Sequence, residues 1–153
     1  MIRKEKFTSM LFVILSLALI KCGNGENEVP YLSQAEQQYI LETATSFLDS
    51  LPVTVTNEVS TRSVGGAHDF YSEGDYWWPD PENPEGAYVR RDGQTNPDNF
   101  VDHRLAMIRF SRIVGMQTSA YLLTGHEKFA KAAGKHLDAW FINPATRMNP
   151  TMN

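Results

Sequence analysis

Residues 118–141, TSAYLLTGHEKFAKAAGKHLDAWF, decide which fold this chain can adopt. A helical pattern runs on each side of Thr124-Gly125, a pair that is typical of a helix end. Two helices joined by so short a turn form an αα-hairpin, and repeated hairpins build solenoids or closed α/α toroids. The sequence therefore predicts an all-α fold, although we find no second copy of this hairpin in the chain.

The helix before this turn is predicted to begin at Asn96 and to end near Leu123. Asparagine caps helices well, and Pro97 suits the first helical position. Apolar residues fall on every side of this helix, so it should be buried on most sides, by more protein than the chain supplies. The following helix, from His126 to about Ile142, has one charged and one apolar face, and we expect its charged face to contact water.

An earlier helix is predicted to begin at Ser33, which forms a capping box with Glu36, and to end at Pro52. The segment Val53 to Val59 alternates weakly and predicts a short strand with no evident partner. The apolar stripe of the earlier helix comprises Ile40, Leu41, Ala44, Phe47, Leu48 and Leu51.

Between Pro52 and Asn96 the sequence has no sustained helical or strand period, and glycine and proline interrupt it repeatedly. A loop of this length in a compact domain is usually functional or disordered. Its aromatic side chains would be costly to leave in water, which argues against disorder. These side chains are Phe70, Tyr71, Tyr76, Trp77, Trp78 and Tyr88.

Residues 1–21 are predicted to be an export signal, because basic residues precede an apolar run from Met10 to Ile20. That run is too short to span a bilayer as a helix, which takes about 20 residues. Cys22 follows the predicted signal of residues 1–21 and is a candidate lipidation site, with residues 22–32 as a polar tether. We therefore expect an exported protein, periplasmic or anchored to the outer membrane as a lipoprotein, whose membrane contact is limited to that lipid.

Removing residues 1–21 leaves 10 basic and 17 acidic residues, a net charge of −7. Binding to nucleic acid is therefore not expected.

No zinc cluster, phosphate loop, dinucleotide fingerprint or Ser-His-Asp motif is present, and His103 beside Asp102 lacks metal-ligand spacing. Neither a metal nor a cofactor is expected. Half of the remaining basic residues fall in one short window, namely Arg90, Arg91, Arg104, Arg109 and Arg112.

Three runs carry a family resemblance: HDFYSEGDYWWPDP at residues 68–81, YVRRDGQTNPDN at 88–99 and HRLAMIRFSR at 103–112. Together they resemble the N-terminal part of the alginate lyase family, secreted bacterial enzymes with an α/α-toroid catalytic domain. The resemblance covers residues 33–153 and implies the N-terminal part of such a toroid with a long aromatic loop. It also implies a catalytic histidine and tyrosine from later helices, beyond Asn153, so we expect this chain to be a truncated product that is inactive alone.

The reaction that the resemblance implies is β-elimination on alginate or a related uronate polymer. A base removes the C5 proton, an acid donates to the departing O4, and a cation or amide neutralises the uronate carboxylate. Aromatic rings can stack on the C–H faces of sugars, and arginine can grip a carboxylate through two hydrogen bonds. The candidate substrate-binding residues are His68, Tyr71, Tyr76, Trp77, Trp78, Arg104 and Arg109, and catalytic residues are not assigned.

Several of these residues have a structural alternative. The aromatic side chains could plug the loop onto the core, and the helical arginines could form buried salt bridges with Asp98, Asp102 or acids of the later helices. Arg90 and Arg91 are interpreted as solvated loop charges, His136 as a core histidine and His126 as a turn residue.

Two other functions remain open. A toroid glycoside hydrolase would use two carboxylates, for which Asp75 and Asp80 are the local candidates. A non-catalytic glycan-binding lipoprotein would need only the aromatic loop and Cys22.

Overall fold

A computed structural model of the chain describes residues 32–150. The predicted signal segment, Cys22 and the tether up to residue 31 lie outside the described residues. Within them, the elements are helix α1 (Gln34–Ser46), strands β1 (Trp77–Trp78) and β2 (Val89–Arg90), helix α2 (Asp102–Thr124) and helix α3 (Glu127–Phe141). The predicted all-α class is confirmed for this part of the chain, which three helices dominate.

Helix α1 begins with the predicted capping box. The Ser33 side chain accepts from the Glu36 backbone N–H at 3.3 Å, and the Glu36 carboxylate accepts from the Ser33 N–H at 2.7 Å. The helix ends at Ser46, earlier than predicted, because a turn bonds the Ser50 N–H to the Phe47 carbonyl. That turn takes Leu51 off the apolar stripe and leaves it 69% exposed, so its predicted burial was wrong.

The predicted start of α2 at Asn96 was also wrong, because the helix begins at Asp102. Asn96-Pro97 opens a turn instead, in which the Asn96 side-chain oxygen accepts from the Asp98 N–H at 3.0 Å. The end of α2 is as predicted: Gly125 adopts a left-handed conformation with φ of 66°, and its N–H donates to the Tyr121 carbonyl. Glycine adopts this conformation without strain.

The helical hairpin and α1 share a core in two parts. In the first, Ala44 of α1 packs with Ala120 and Phe129, and in the second, Val55 packs with Ala106 and Trp140. Trp140 is fully buried, and its ring centroid lies 5.2 Å from that of Phe110.

Helix α2 is buried on one side only among the described residues. Its inward side chains include Ala106, Ile113 and Ala120, whereas Leu105 and Leu122 are 54% and 67% exposed. The sequence correctly indicated apolar residues all round this helix. The described part of the chain covers one face and leaves the other in contact with solvent.

The predicted strand from Val53 to Val59 is absent from the described structure. Instead the Thr54 N–H donates to the Asn57 side chain at 2.7 Å, and the Asn57 N–H donates back to the Thr54 carbonyl. This turn points Val55 into the core, where it is fully buried. The weak apolar alternation from Val53 to Val59 therefore belongs to a turn that buries one valine. In residues 32–150, no helix is both long enough and apolar enough to cross a membrane.

Candidate functional site

The tryptophan pair lies on a small antiparallel ladder, which we call the aromatic ribbon: strands β1 (Trp77–Trp78) and β2 (Val89–Arg90). Trp77 faces Arg90 and Trp78 faces Val89. Neighbouring residues of a strand point to opposite faces. Trp77 and Arg90 accordingly form an exposed outer face, while Trp78 and Val89 form a partly buried inner face.

Trp78 is fixed on the inner face by two contacts. Its Nε1 donates to the Gln94 carbonyl at 2.9 Å, and the Arg91 guanidinium lies 5.2 Å from its ring centroid. Arg91 therefore packs on an aromatic ring, in place of the solvated position expected from the sequence. Tyr76 and Trp77 are 40% and 44% exposed, so these two of the candidate stacking residues present their surface to solvent.

Two buried asparagines hold the backbone of β1. The Trp77 carbonyl accepts from Asn96 Nδ2 and from Asn99 Nδ2, both at 3.0 Å. Asn99 Nδ2 also donates to the Gly74 carbonyl at 2.7 Å, and Asn96 Nδ2 donates to the Asn99 side-chain oxygen at 2.9 Å. Each asparagine is only 6% exposed. We call Asn96 and Asn99 the asparagine clamp, and it fixes where the Trp77 side chain projects.

Gly74 allows the Trp77 ring to fold back over the backbone. A Cβ atom at Gly74 would lie 2.6 Å from Trp77 Cδ1, closer than real Cβ atoms approach a neighbour. The position thus needs glycine for the close approach of the ring.

A nearly buried carboxylate ties the loop to the start of α2. Glu73 accepts from the Arg62 guanidinium and, at 2.6 Å, from the Phe100 N–H, and its own N–H donates to the Phe100 carbonyl. Burial, followed by the negative charge of Glu73 and its hydrogen bond, raises the pKa of Tyr71. Tyr71 therefore stays protonated at neutral pH.

His103 is a structural residue between two loop segments. Its Nδ1 accepts from the Tyr71 N–H at 3.0 Å, so Nε2 carries the proton that bonds to the Glu58 carbonyl at 2.7 Å. Phe100 packs edge-on against the imidazole ring, with centroids 4.8 Å apart. Both ring nitrogens are occupied, and the residue is 3% exposed.

His68 connects the loop to the segment after α3. Its Nδ1 lies 2.6 Å from the Arg147 carbonyl, and its own carbonyl accepts from the Asn149 N–H. The Asn149 side chain also donates to Asp69 at 2.8 Å. His68 is half-buried, and these bonds anchor it to the segment after α3.

The helical arginines have partners other than the expected Asp98 and Asp102. Arg104 forms an ion pair with Asp75, next to the aromatic ribbon, with both side chains partly exposed. Arg109 Nη1 donates to the Leu51 carbonyl at 3.0 Å, and the Arg112 guanidinium lies 5.7 Å from the Phe47 ring centroid. Of these three arginines, Arg104 contacts the aromatic loop, through its ion pair with Asp75.

A separate cavity of about 400 Å³ lies between the turn around Thr54 and the first turns of α2. Its lining includes Asn57, Glu58, Leu105 and Arg109. Acidic, basic and apolar groups thus meet in one concavity. Residues 32–150 contain no group of three or more side chains placed to bind a metal ion.

His136 lies in the core at 2% exposure, as predicted. Burial lowers its pKa most, and the positive charges of Arg109 and Lys135 lower it further, against a hydrogen bond to the Ser50 backbone that raises it. The neutral imidazole is therefore the form that the fold accommodates.

This shift predicts a loss of stability at acidic pH. Below the unfolded pKa of about 6.5, the unfolded chain binds a proton that folded His136 resists, so the free energy of unfolding falls as pH drops toward the folded pKa. Urea denaturation between about pH 7.5 and about pH 5.5 should show a shallower pH dependence for His136→Gln than for the wild type. His126→Gln, at an exposed helix start, is the control, and equal slopes in all three proteins would contradict the assignment.

Three parts of this site were missed by reasoning from the sequence: the asparagine clamp, the β1–β2 pairing and the Arg62–Glu73 contact. The signal available for the clamp was Asn-Pro-Asp-Asn at residues 96–99, which was interpreted as a helix start. Asparagine caps helices and also braces loops, and the choice between these roles depends on distant carbonyls.

Comparison with known proteins supports one family. A family model described as alginate lyase matches residues 54–153. Among solved structures, the crystal structure of an alginate lyase from Bacteroides ovatus at 1.60 Å resolution is 37% identical and superposes with a TM-score of 0.65. The match covers 74% of this chain and 30% of that chain, so this chain spans under a third of that relative. No protein with a curated description matches. The helical hairpin, the aromatic loop and these two matches agree, and the chain belongs to the alginate lyase family.

Proposed function

We propose that the protein is a polysaccharide lyase that cleaves alginate or a related uronate polymer by β-elimination, with the aromatic ribbon as part of its substrate-binding surface. Family membership supports the lyase reaction. The observation that carries the binding role is the exposed Trp77 ring on a backbone held by two buried asparagines. An exposed aromatic ring on a rigid support loses little entropy when a sugar stacks on it.

In this proposal, Tyr76 and Trp77 stack on sugar rings and Arg104 lies close enough to the loop to meet a carboxylate. Its ion pair with Asp75 is partly exposed, so a uronate can compete for the guanidinium. His68 and Tyr71 hold the loop in place, His68 through the Arg147 carbonyl and Tyr71 through its N–H bond to His103.

Neither His103 nor His136 is suited to remove the C5 proton. Both nitrogens of His103 bond to backbone groups, and His136 is buried in the core. A general base has to reach the proton that it abstracts. The proposal therefore gives neither histidine a catalytic role and leaves the base and acid unassigned.

The reaction type is tested by incubating the protein, in its complete form, with alginate. β-Elimination creates a C4–C5 double bond, so ultraviolet absorbance should rise together with new reducing ends. Reducing ends without that absorbance would show hydrolysis, and binding without cleavage would show a glycan-binding protein. Either result would contradict the lyase proposal.

We also propose that the protein is exported and carries a lipid on Cys22. The basic and apolar pattern of residues 1–21 supports this, together with the cysteine that follows it. Expressed in a bacterium fed radioactive palmitate, the wild type should be labelled and should fractionate with membranes, whereas Cys22→Ser should be unlabelled. Equal labelling of both proteins, or labelling of neither, would refute lipidation at this cysteine.

A further inference from the structure

The outer face of the aromatic ribbon carries a positive charge beside its exposed ring. Arg90 is the direct ladder partner of Trp77. Directly opposed residues of an antiparallel pair have Cβ atoms about 5 Å apart on the same face. Both residues are exposed, whereas Trp78 and Val89 are more buried. The Trp77 and Arg90 side chains therefore leave the ribbon from neighbouring positions on the same exposed face.

The contact that Arg90 makes within the chain is one that a ligand can displace. Its Nη2 lies 2.8 Å from Asp92 Oδ1, and the two side chains are 61% and 77% exposed. Exposed ion pairs of this kind contribute little to stability. The neighbouring Arg91 differs, because it packs over Trp78 on the inner face.

This pairing matches the chemistry of a uronate residue, which has an apolar C–H face and a carboxylate at its ring edge. The next strand lies about 4.8 Å away, within reach of the ring-edge substituents of a pyranose stacked on Trp77. We propose that Arg90 binds the carboxylate of the sugar that stacks on Trp77 and so selects uronate over neutral polymers. This inference rests on the proposed function and adds to it the residue that binds the uronate carboxylate.

The same geometry assigns a role to Asp92. A uronate carboxylate that approaches Arg90 must compete with the Asp92 carboxylate for the guanidinium. Asp92→Asn removes this competing charge and some repulsion of an anionic ligand. That variant should bind uronate polymers more tightly than the wild type.

The test is equilibrium binding of the full chain to alginate and to alginate whose carboxylates have been reduced to alcohols. Arg90→Ala should lower the affinity for alginate about tenfold and leave the affinity for the reduced polymer unchanged. Arg90→Lys should retain part of the affinity, since lysine keeps the charge without the fork of two donors. Lys131→Ala, at an exposed position on α3, is the control for loss of one positive charge.

The outcomes separate the inference from the function on which it rests. Trp77→Ala should weaken both polymers, and if it weakens neither, or if the wild type binds neither, the proposed binding surface is wrong. If Trp77→Ala weakens both, two results would still overturn the role of Arg90: an equal loss for both polymers in Arg90→Ala, or no greater loss of alginate affinity than in Lys131→Ala. Near-ultraviolet circular dichroism would show that the tryptophan environment is unchanged in Arg90→Ala.

Discussion

Replacement of Trp77 by alanine is expected to weaken alginate binding about thirtyfold, which corresponds to about 2 kcal/mol. The ring is 44% exposed and its backbone is held by the asparagine clamp, so it offers a preformed surface for stacking. Because the ring is only half-buried, its loss should lower the free energy of unfolding by on the order of 1 kcal/mol. The melting temperature should then change by a few degrees at most. Titration calorimetry and thermal unfolding measure the two effects.

Trp78→Ala is the matched control, since it removes the same side chain from the adjacent position. It should mainly destabilise the fold, by about 1–3 kcal/mol. The loss comprises the hydrogen bond from Nε1 to the Gln94 carbonyl and the contact with Arg91. If Trp77→Ala destabilises the protein as much as Trp78→Ala and binding is unaffected by it, the outer ring has a structural role and the stacking proposal fails.

Asn99→Ala is expected to cost about 2–3 kcal/mol of stability and to abolish the ordered position of Trp77. Asn99 Nδ2 donates to the Gly74 and Trp77 carbonyls, and the Asn99 side-chain oxygen accepts from Asn96. Removing these partners leaves polar groups unpaired in a largely buried place, which costs more than a hydrogen bond contributes when formed. Urea denaturation gives the stability, and alginate affinity should fall at least as far as in Trp77→Ala.

Asn99→Asp distinguishes hydrogen bonding from shape. The aspartate has the size of asparagine but replaces the donor with a second acceptor that faces two carbonyls, so it should be as damaging as alanine. Asp98→Ala, at the exposed neighbouring position, should be close to neutral, because it is the Asp98 backbone carbonyl that bonds to Arg62. Wild-type stability and binding in Asn99→Asp would rule out the proposed clamp.

The helical elements were largely predictable because their signals are local. The capping box at Ser33 and the left-handed Gly125 each involve residues within one turn of the helix end. The amphipathic pattern of α3 places Phe129, His136 and Trp140 inside, as expected, since every third or fourth residue shares a face.

The wrong predictions concern segments whose local sequence is compatible with two structures. Asn96-Pro97 fits a helix start, yet Asn96 instead bonds to Trp77, 19 positions earlier in the chain. Alternation from Val53 to Val59 fits a strand, yet no neighbouring strand pairs with it among residues 32–150, and a turn forms instead. A strand needs a partner, which its own sequence does not supply.

The candidate site shows the same division. The sequence marks Tyr76, Trp77 and Trp78 as candidate binding residues but does not show which of them is exposed. Nor does it show which groups the arginines contact. The pairing of β1 with β2 separates an exposed Trp77 from a held Trp78 and puts Arg90 beside the former. Arg104 finds Asp75 across 29 positions, in a contact that no spacing rule predicts.

By itself the sequence determined the helical class, the start of α1 at Ser33, the end of α2 at Gly125, and the family. These follow from hydrogen bonds and side-chain spacing within a few residues, and from motifs that can be read in order. Tertiary structure alone decided which tryptophan meets solvent and which arginine stands next to it. Those choices depend on backbone carbonyls and ladder partners brought together from distant positions, whose meeting is fixed only when the whole core packs.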